Sequence, residues 1–231
     1  MKIVYIHHSG FILEDDEFAL IIDCCGLKKE SAEFRACAGK HLYVLASHVH
    51  SDHFDPRIMS FESVHTNWIL SSDICKKVSP REDIHFLSRG DQYQDDRVKI
   101  KAFGSTDEGV SFYIEAGGQR LFHAGDLNNW HWKEEETPED AAKNEKMFLD
   151  ELALIAKEVP VLDAAMFPVD PRLGKDYTRG AEQFLDSIQV GLFVPMHFWD
   201  NSEAARAFKP SAEKRGCRFA EIRSAGDVFV I

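Results

Sequence analysis

No run of 18 apolar residues occurs anywhere in the 231-residue chain, so no membrane-spanning helix is expected. Basic stretches are equally scarce. The densest, Lys28-Lys29, Lys76-Lys77 and Lys214-Arg215, are two residues each. With 39 acidic against 27 basic residues the formal net charge is −12. A protein that neutralises a phosphate backbone needs a basic stripe, so nucleic acid and other anionic polymers are not expected partners. A small anionic substrate stays compatible with this balance, because a bound metal reverses the local field. Cysteines number five, an odd count, and Cys24 and Cys25 are adjacent. That is no disulfide framework, and reduced thiols in a cytoplasm are the simpler expectation. The opening MKIVYIHHSG has no apolar signal core, since His7 and His8 interrupt it. Internal repeats, low-complexity tracts and linkers are missing too, which leaves residues 1–231 to be read as a single domain.

What is present is an ordinary globular composition, 44% hydrophobic and 29% charged. Residues 2–6, 10–14 and 17–22 read as short strands rich in β-branched and aromatic side chains, with an acidic turn at 14–17. A short helix is expected over 30–38. LYVLAS at 42–47 is a continuous apolar run of strand length, the pattern of a strand buried on both faces. Further strands are expected at 67–70, 83–88, 97–103, 109–116 and 119–124, with Gly117-Gly118 turning between the last two. Thr137-Pro138-Glu139-Asp140 is a helix start: an N-cap, a proline at the first helical position, then acids at the positive end. That helix should run from about 138 to 157 with Met147, Phe148, Leu152 and Ile155 facing inward. Strands at 161–169, 191–196, 217–222 and 227–231 and helices at 178–188 and 202–215 complete the pattern. This order fits an α/β protein of two packed sheets with helices outside.

Chemistry concentrates in Ser47-His48-Val49-His50-Ser51-Asp52-His53, directly after the apolar strand. In extended backbone, residues i and i+2 point the same way, so His48 and His50 can converge on one ion. Asp52 and His53 follow as the chain turns, and can address a second ion beside it. Imidazole nitrogen and carboxylate oxygen suit zinc, and also iron or manganese. A lone histidine at a strand end is usually structural. Four ligand-type side chains at the end of a buried strand are costly to bury without a partner, and a metal supplies one.

His-x-His-x-Asp-His after a buried strand resembles the signature of the metallo-β-lactamase fold superfamily. Phe122-His123-Ala124-Gly125-Asp126 resembles the element whose carboxylate bridges two metals. Val194-Pro195-Met196-His197 resembles the strand end that carries the last histidine ligand. Ile6-His7-His8-Ser9-Gly10-Phe11, with Ile21-Ile22-Asp23, resembles the opening of the lactonase-like branch, which includes ascorbate-phosphate lactonases. The resemblance implies a four-layer αββα sandwich with the site at one sheet edge. By it His48 and His50 bind the first metal, Asp52, His53 and His197 the second, and Asp126 touches both. An aspartate after Ala124-Gly125 is equally at home in a plain turn; its order relative to the first cluster is what raises it.

The family usually supplies a third histidine to the first metal, and Ser105 stands where it is expected. Three outcomes are open: an empty or weak first site, a shell completed by water or the Ser105 hydroxyl, or another side chain stepping in, with Asp107, His8, His123 and His131 as candidates. The resemblance places His8 at the site rim, where it is a candidate proton donor. Asp23 is a candidate to orient a ligand histidine. Trp130 and Trp132 are candidates for a pocket wall, while Asp170, Arg172 and Tyr177 lie in a loop at a strand end, with Arg172 a candidate grip on a substrate anion. The expected function is metal-dependent hydrolysis of a small-molecule ester, lactone or phosphoester, with Asp52 holding the nucleophile or taking its proton. The alternatives are a non-catalytic metal-binding or regulatory module that lost activity with the third histidine, and a redox di-iron enzyme. The latter typically has glutamate where His50 stands and carries a flavodoxin partner domain.

Overall fold

Alternation of period two sorts the apolar residues of the strands onto two faces. The chain, analysed as a computed structural model, is described over residues 1–60 and 65–231. Elements follow in the order β1 (Lys2–His7), β2 (Gly10–Glu14), β3 (Phe18–Ile22), α1 (Ala32–Ala36), β4 (His41–Ala46), β5 (Thr66–Ser71) and β6 (Ile84–Leu87). Then come β7 (Gln92–Gln94), β8 (Val98–Phe103), β9 (Ser111–Ala116), β10 (Gln119–His123), α2 (Pro138–Glu158), β11 (Val161–Pro168), α3 (Arg179–Ser187) and β12 (Gln189–Met196). Helices α4 (Ser202–Ala207) and α5 (Lys209–Lys214) precede β13 (Arg218–Phe219) and β14 (Val228–Val230). One sheet has the order β14-β1-β2-β3-β4-β5-β6 and the other β13-β12-β11-β10-β9-β8-β7.

In the first sheet Ile3, Tyr5, Leu20, Ile22, Tyr43, Leu45 and Ile69 face inward against the second sheet. The residues between them, Val4, Ala19, Ile21, Leu42, Val44, Trp68 and Leu70, face outward under Cys37, Phe54, Ile58 and Ile74. Both faces are covered, which is why the 42–47 run reads as unbroken apolar sequence. Against the outer face of the second sheet pack Phe148, Leu152 and Ile155 of α2, Ala181 and Phe184 of α3 and Ala212 of α5. The result is the two-sheet sandwich with flanking helices that the resemblance implied.

Several expectations shift. Met147 is 48% exposed, because the buried stripe of α2 runs through Phe148, Leu152 and Ile155 at i, i+4, i+7 and leaves its neighbour outside. The helix expected over 202–215 is two, α4 and α5, broken at Phe208 ahead of Pro210, whose missing N–H and ring prevent continuation. The closing strands are shorter than expected, and β7 was not foreseen. No helix among the described residues is long and apolar enough to cross a membrane.

Strand direction places the site. β1 and β3 flank β2 antiparallel, and β3 pairs parallel with β4, so β1, β3 and β4 run the same way. By the same logic β8, β10, β11 and β12 run together in the other sheet. The C-terminal ends of these seven strands lead into His8, Asp23, the 47–53 cluster, the 104–110 loop, Asp126, Asp170 and His197.

The stacking of Phe167 on Phe184, 4.5 Å between ring centroids and both fully buried, ties β11 to α3. Phe167→Ala should lower the unfolding free energy by about 3–5 kcal/mol, read from the urea midpoint at unchanged m-value. A loss under about 1 kcal/mol would show that this aromatic cluster collapses freely and does not anchor the helix layer.

Candidate metal centre

Three imidazoles are held by one ring nitrogen and left open at the other. Ser47 Oγ lies 2.6 Å from Asp23 Oδ2 and donates to it, so it accepts from His48 Nδ1 at 3.0 Å. His53 Nδ1 donates to Asp23 Oδ2 at 2.8 Å, and His197 Nδ1 to Asp170 Oδ2 at 2.8 Å. This fixes the tautomer and turns each Nε2 lone pair inward. All three Nε2 atoms are buried without a hydrogen-bond partner, as are both ring nitrogens of His8 and Asp126 Oδ1. Orphaned buried polar atoms are rare unless an ion or water satisfies them.

These atoms converge. Asp126 Oδ1 lies 3.0 Å from His53 Nε2 and 3.4 Å from His197 Nε2, and its Oδ2 lies 3.6 Å from His48 Nε2. Asp52 Oδ2 lies 3.3 Å from His8 Nε2 and 4.0 Å from His53 Nε2. Ligands on a tetrahedral zinc at about 2.0–2.1 Å sit roughly 3.3–3.4 Å from one another. The observed separations bracket that edge. Two groups result, the first of His48, His50, Asp107 and Asp126 and the second of His8, Asp52, His53 and His197, with donor atoms within 4.8 Å of one another in each. The residues present therefore fit a divalent cation in nitrogen–oxygen coordination.

Electrostatics agree. Burial would raise Asp126, but His197 and His53 hold its carboxyl well below the usual range. Burial pulls His53 down, yet Asp126 and Asp23 outweigh it and hold the ring at about 10. Burial lowers His48 to about 4, and the neighbouring His53 adds to that shift. Asp52 is held low chiefly by His8.

A model of the β-lactamase superfamily domain matches residues 2–141. The chain belongs to the β-lactamase superfamily. A metal-dependent hydrolase from Symbiobacterium thermophilum is 25% identical over 209 residues, covering 86% of this chain and 84% of the relative. Among solved structures, a metallo hydrolase from Ignicoccus hospitalis superposes with TM-score 0.70 at 18% identity, covering 100% of this chain and 98% of that one. A diiron β-hydroxylase from Streptomyces venezuelae superposes at 0.66 and 12% identity, with 100% of this chain matched to 54% of that one. These structural likenesses show the shared fold.

Against the superfamily pattern, the structure brings His48, His50, Asp52, His53, Asp126 and His197 into the two groups and adds Asp107 and His8. Ser105 stays outside both, and its Oγ accepts from Asp107 N at 3.2 Å. His123 has both nitrogens engaged, Nε2 with Ser9 O at 2.8 Å and Nδ1 with Gly125 N at 3.1 Å. His131 likewise bonds Asp176 O and Lys133 N. Neither is free to ligate. His8 is 2% exposed, buried in the second group and not at the rim.

Trp130, Trp132 and Arg172 line a cavity of about 360 Å³ that opens from Asp126 and His197, together with Asp107, Glu136 and Asn144. Trp130 Nε1 donates to Asp126 O at 2.8 Å. Arg172 grips Asp170 through Nε and Nη2 (2.6 Å for the latter), and its guanidinium lies over Trp132 and Trp199. Tyr177 instead donates to Ala204 O. Sequence reading left Asp170 as a loop residue. Its role behind His197 has no local signal, since its partner lies 27 positions away.

Gly109 closes the cradle from the other sheet. Its φ is +71°, and a Cβ there would meet Ser47 O at 2.1 Å and His48 Cβ at 2.4 Å. Removing Asp23 or Asp170 by Asp→Asn should weaken metal affinity about 10–100-fold while the fold persists. Chelator competition on the folded variants measures this, and wild-type affinity in both would refute the orienting role.

Proposed function

We propose that the chain is a metal-dependent hydrolase of a small molecule carrying an ester, lactone or phosphoester bond. The carrying observation is the ring of buried, unpartnered imidazole nitrogens around Asp126, opening onto the Trp-lined cavity. A cation held by His48, His50, Asp52, His53, Asp126 and His197 would supply Lewis acidity toward a carbonyl or phosphoryl oxygen and would acidify water near neutral pH. Zinc, manganese and ferrous iron all suit this mixed donor set.

The chain's own groups divide the remaining work. Asp52 is half-buried with its Oδ2 beside His8 and His53, so it is the carboxylate placed to hold an attacking water or take its proton. His8 is too enclosed to reach a leaving group, which argues against the proton-donor role expected for it. Asp23 and Asp170 keep His53 and His197 in the tautomer that presents Nε2 inward. Trp130 and Trp132, stacked at 12° with centroids 6.0 Å apart, offer a flat apolar wall beside Asp126. That wall, with the acceptors of Glu136 and Asn144, suits a compact substrate. The presence of Asp107 in the first group favours a working centre over a module disabled by Ser105. Histidine at position 50 favours hydrolysis over di-iron redox chemistry.

His53→Ala and Asp126→Ala should each lower bound metal and reduce turnover by at least about 10³-fold in kcat/KM. Elemental analysis with a screen of lactone, ester and phosphodiester substrates provides the test. Full metal content and activity in either variant would overturn the proposal. Trp132→Ala should raise KM several-fold while changing kcat little, as expected for a wall that binds ground and transition states alike.

A further inference from the structure

We infer that the two metal positions are chemically unequal: the buried one, on His8, His53, His197 and Asp52, selects zinc, and the open one, on His48, His50, Asp107 and Asp126, takes a harder cation of the manganese class. This rests on reading the cluster as a metal centre. It goes further in assigning Asp107 and His8 as ligands and in giving each position its own cation.

The donors differ in kind. Counting Asp126 in both, since its Oδ1 faces His53 and His197 and its Oδ2 faces His48, the first group has two imidazoles and two carboxylates, and the second three imidazoles and two carboxylates. Imidazole favours zinc, copper and nickel, whereas carboxylate and water favour manganese, magnesium and calcium. Having one imidazole fewer lowers the zinc-over-manganese preference of the first position relative to the second.

Their surroundings differ as well. His8, His53 and His197 are each no more than 2% exposed. Their side chains are held by neighbours: His53 by Asp23, His197 by Asp170, and the His8 ring by tilted contacts with His197 at 4.1 Å and Trp199 at 4.6 Å. In the first group only His48 and Asp126 are buried, while the side chains of His50 and Asp107 are 44% and 47% exposed. An open position keeps water in the shell, which suits a cation that prefers six ligands over four.

Asp107 is nonetheless placed by the fold. Its loop begins at Gly104, whose N–H donates at 2.7 Å to Glu151 of α2, a side chain also bound by Arg89. Thr106 Oγ1 donates to Asn128 O at 2.6 Å and accepts from Asn128 N at 3.0 Å, tying the loop to the segment that carries Asp126. The Ser105 hydroxyl accepts from Asp107 N and so orients the carboxylate beside His50, 3.8 Å from Nδ1. Independently of this loop, the unpartnered and fully buried His48 Nε2 points into the same space.

The test loads metal-free full-length protein with one equivalent of zinc and excess manganese, then removes unbound ions. Elemental analysis should find one zinc and one manganese per chain. Anomalous diffraction at the two absorption edges should place zinc between His8, His53 and His197 and manganese beside Asp107. Asp107→Asn should weaken manganese binding by at least about tenfold, the loss expected even for an outer partner of a ligand. Asp107→His should replace retained manganese with a second zinc, and His8→Gln should release the zinc and leave the manganese in place. Zinc spread equally over both positions, or manganese retention unaffected by both Asp107 variants, would sink the inference. Two zinc ions with turnover intact refute this inequality alone, and protein that takes up no metal refutes the hydrolase reading with it.

Discussion

Asp126 is 5% exposed and carries its two oxygens into a ring of imidazoles, Oδ1 toward His53 and His197 and Oδ2 toward His48. Taking one carboxylate out of water costs several kcal/mol even after relaxation. Asp23 and Asp170 are buried behind the same imidazoles, and Asp52 stands half-buried beside them. Such a convergence of negative charge is stable only against positive charge. Asp126, with Asp23 behind His53 and Asp170 behind His197, offsets the burial that would otherwise lower either ring. A divalent ion supplies positive charge compactly at the same place, and its binding needs the ligand nitrogens deprotonated. The imidazole tautomers, the buried hydrogen bonds behind them and the tight backbone around them all follow from the need to hold this charge balance.

Backbone conformation shows where the constraint is concentrated. Among the described residues, the non-glycine positions with positive φ are His8, Asp23, Trp132, His197 and Trp199. All five belong to the centre or to its rim. Left-handed backbone costs a non-glycine residue on the order of 1–3 kcal/mol, so its confinement here marks geometry imposed by surrounding packing. The support comes from seven strands ending at one edge, with their apolar faces buried on both sides. Cross-sheet hydrogen bonds lock the two edges together, Val110 N to Ser47 O at 2.9 Å and His197 N to His8 O at 3.3 Å. A rigid scaffold of this kind holds ligands closely enough that the ion need not organise them.

How far this was legible depends on the distance between partners in sequence. The 48–53 cluster was readable from residues alone, because strand periodicity and burial cost act locally. Most strand and helix positions were readable for the same reason, and the Thr137-Pro138 start of α2 was placed to the residue. The errors were also local. One extra apolar residue beside a stripe misdirected Met147, and Pro210 was not given its full weight as a helix breaker. Asp126 and His197 came only through resemblance, since nothing near either one distinguishes a ligand from a turn residue or a capped strand end. Asp170 and the choice of Asp107 over His123 and His131 required coordinates. Three histidines and an aspartate were equal candidates in sequence, and only the hydrogen bonds separate them: His123 and His131 spend both nitrogens on backbone groups, whereas Asp107 keeps its carboxylate toward His50.

Arg172 shows how site chemistry reaches beyond the ligands. Sequence reading expected it to grip a substrate anion, and it does line the cavity. Its Nε and Nη2 nevertheless turn to Asp170, in three contacts of 2.6–3.1 Å. Asp170 in turn accepts from His197 Nδ1. The guanidinium, stacked over Trp132 and Trp199, thus holds the carboxylate that holds the imidazole that faces Asp126. A planar fork suits this task where an ammonium would not, because both carboxylate oxygens are engaged at once. Its place puts one side chain in contact with both the aromatic wall and the carboxylate behind His197. The cavity wall and the support of the ligand chain are therefore built from one residue, and a group that merely neutralised Asp170 from outside the cavity would leave the two separate.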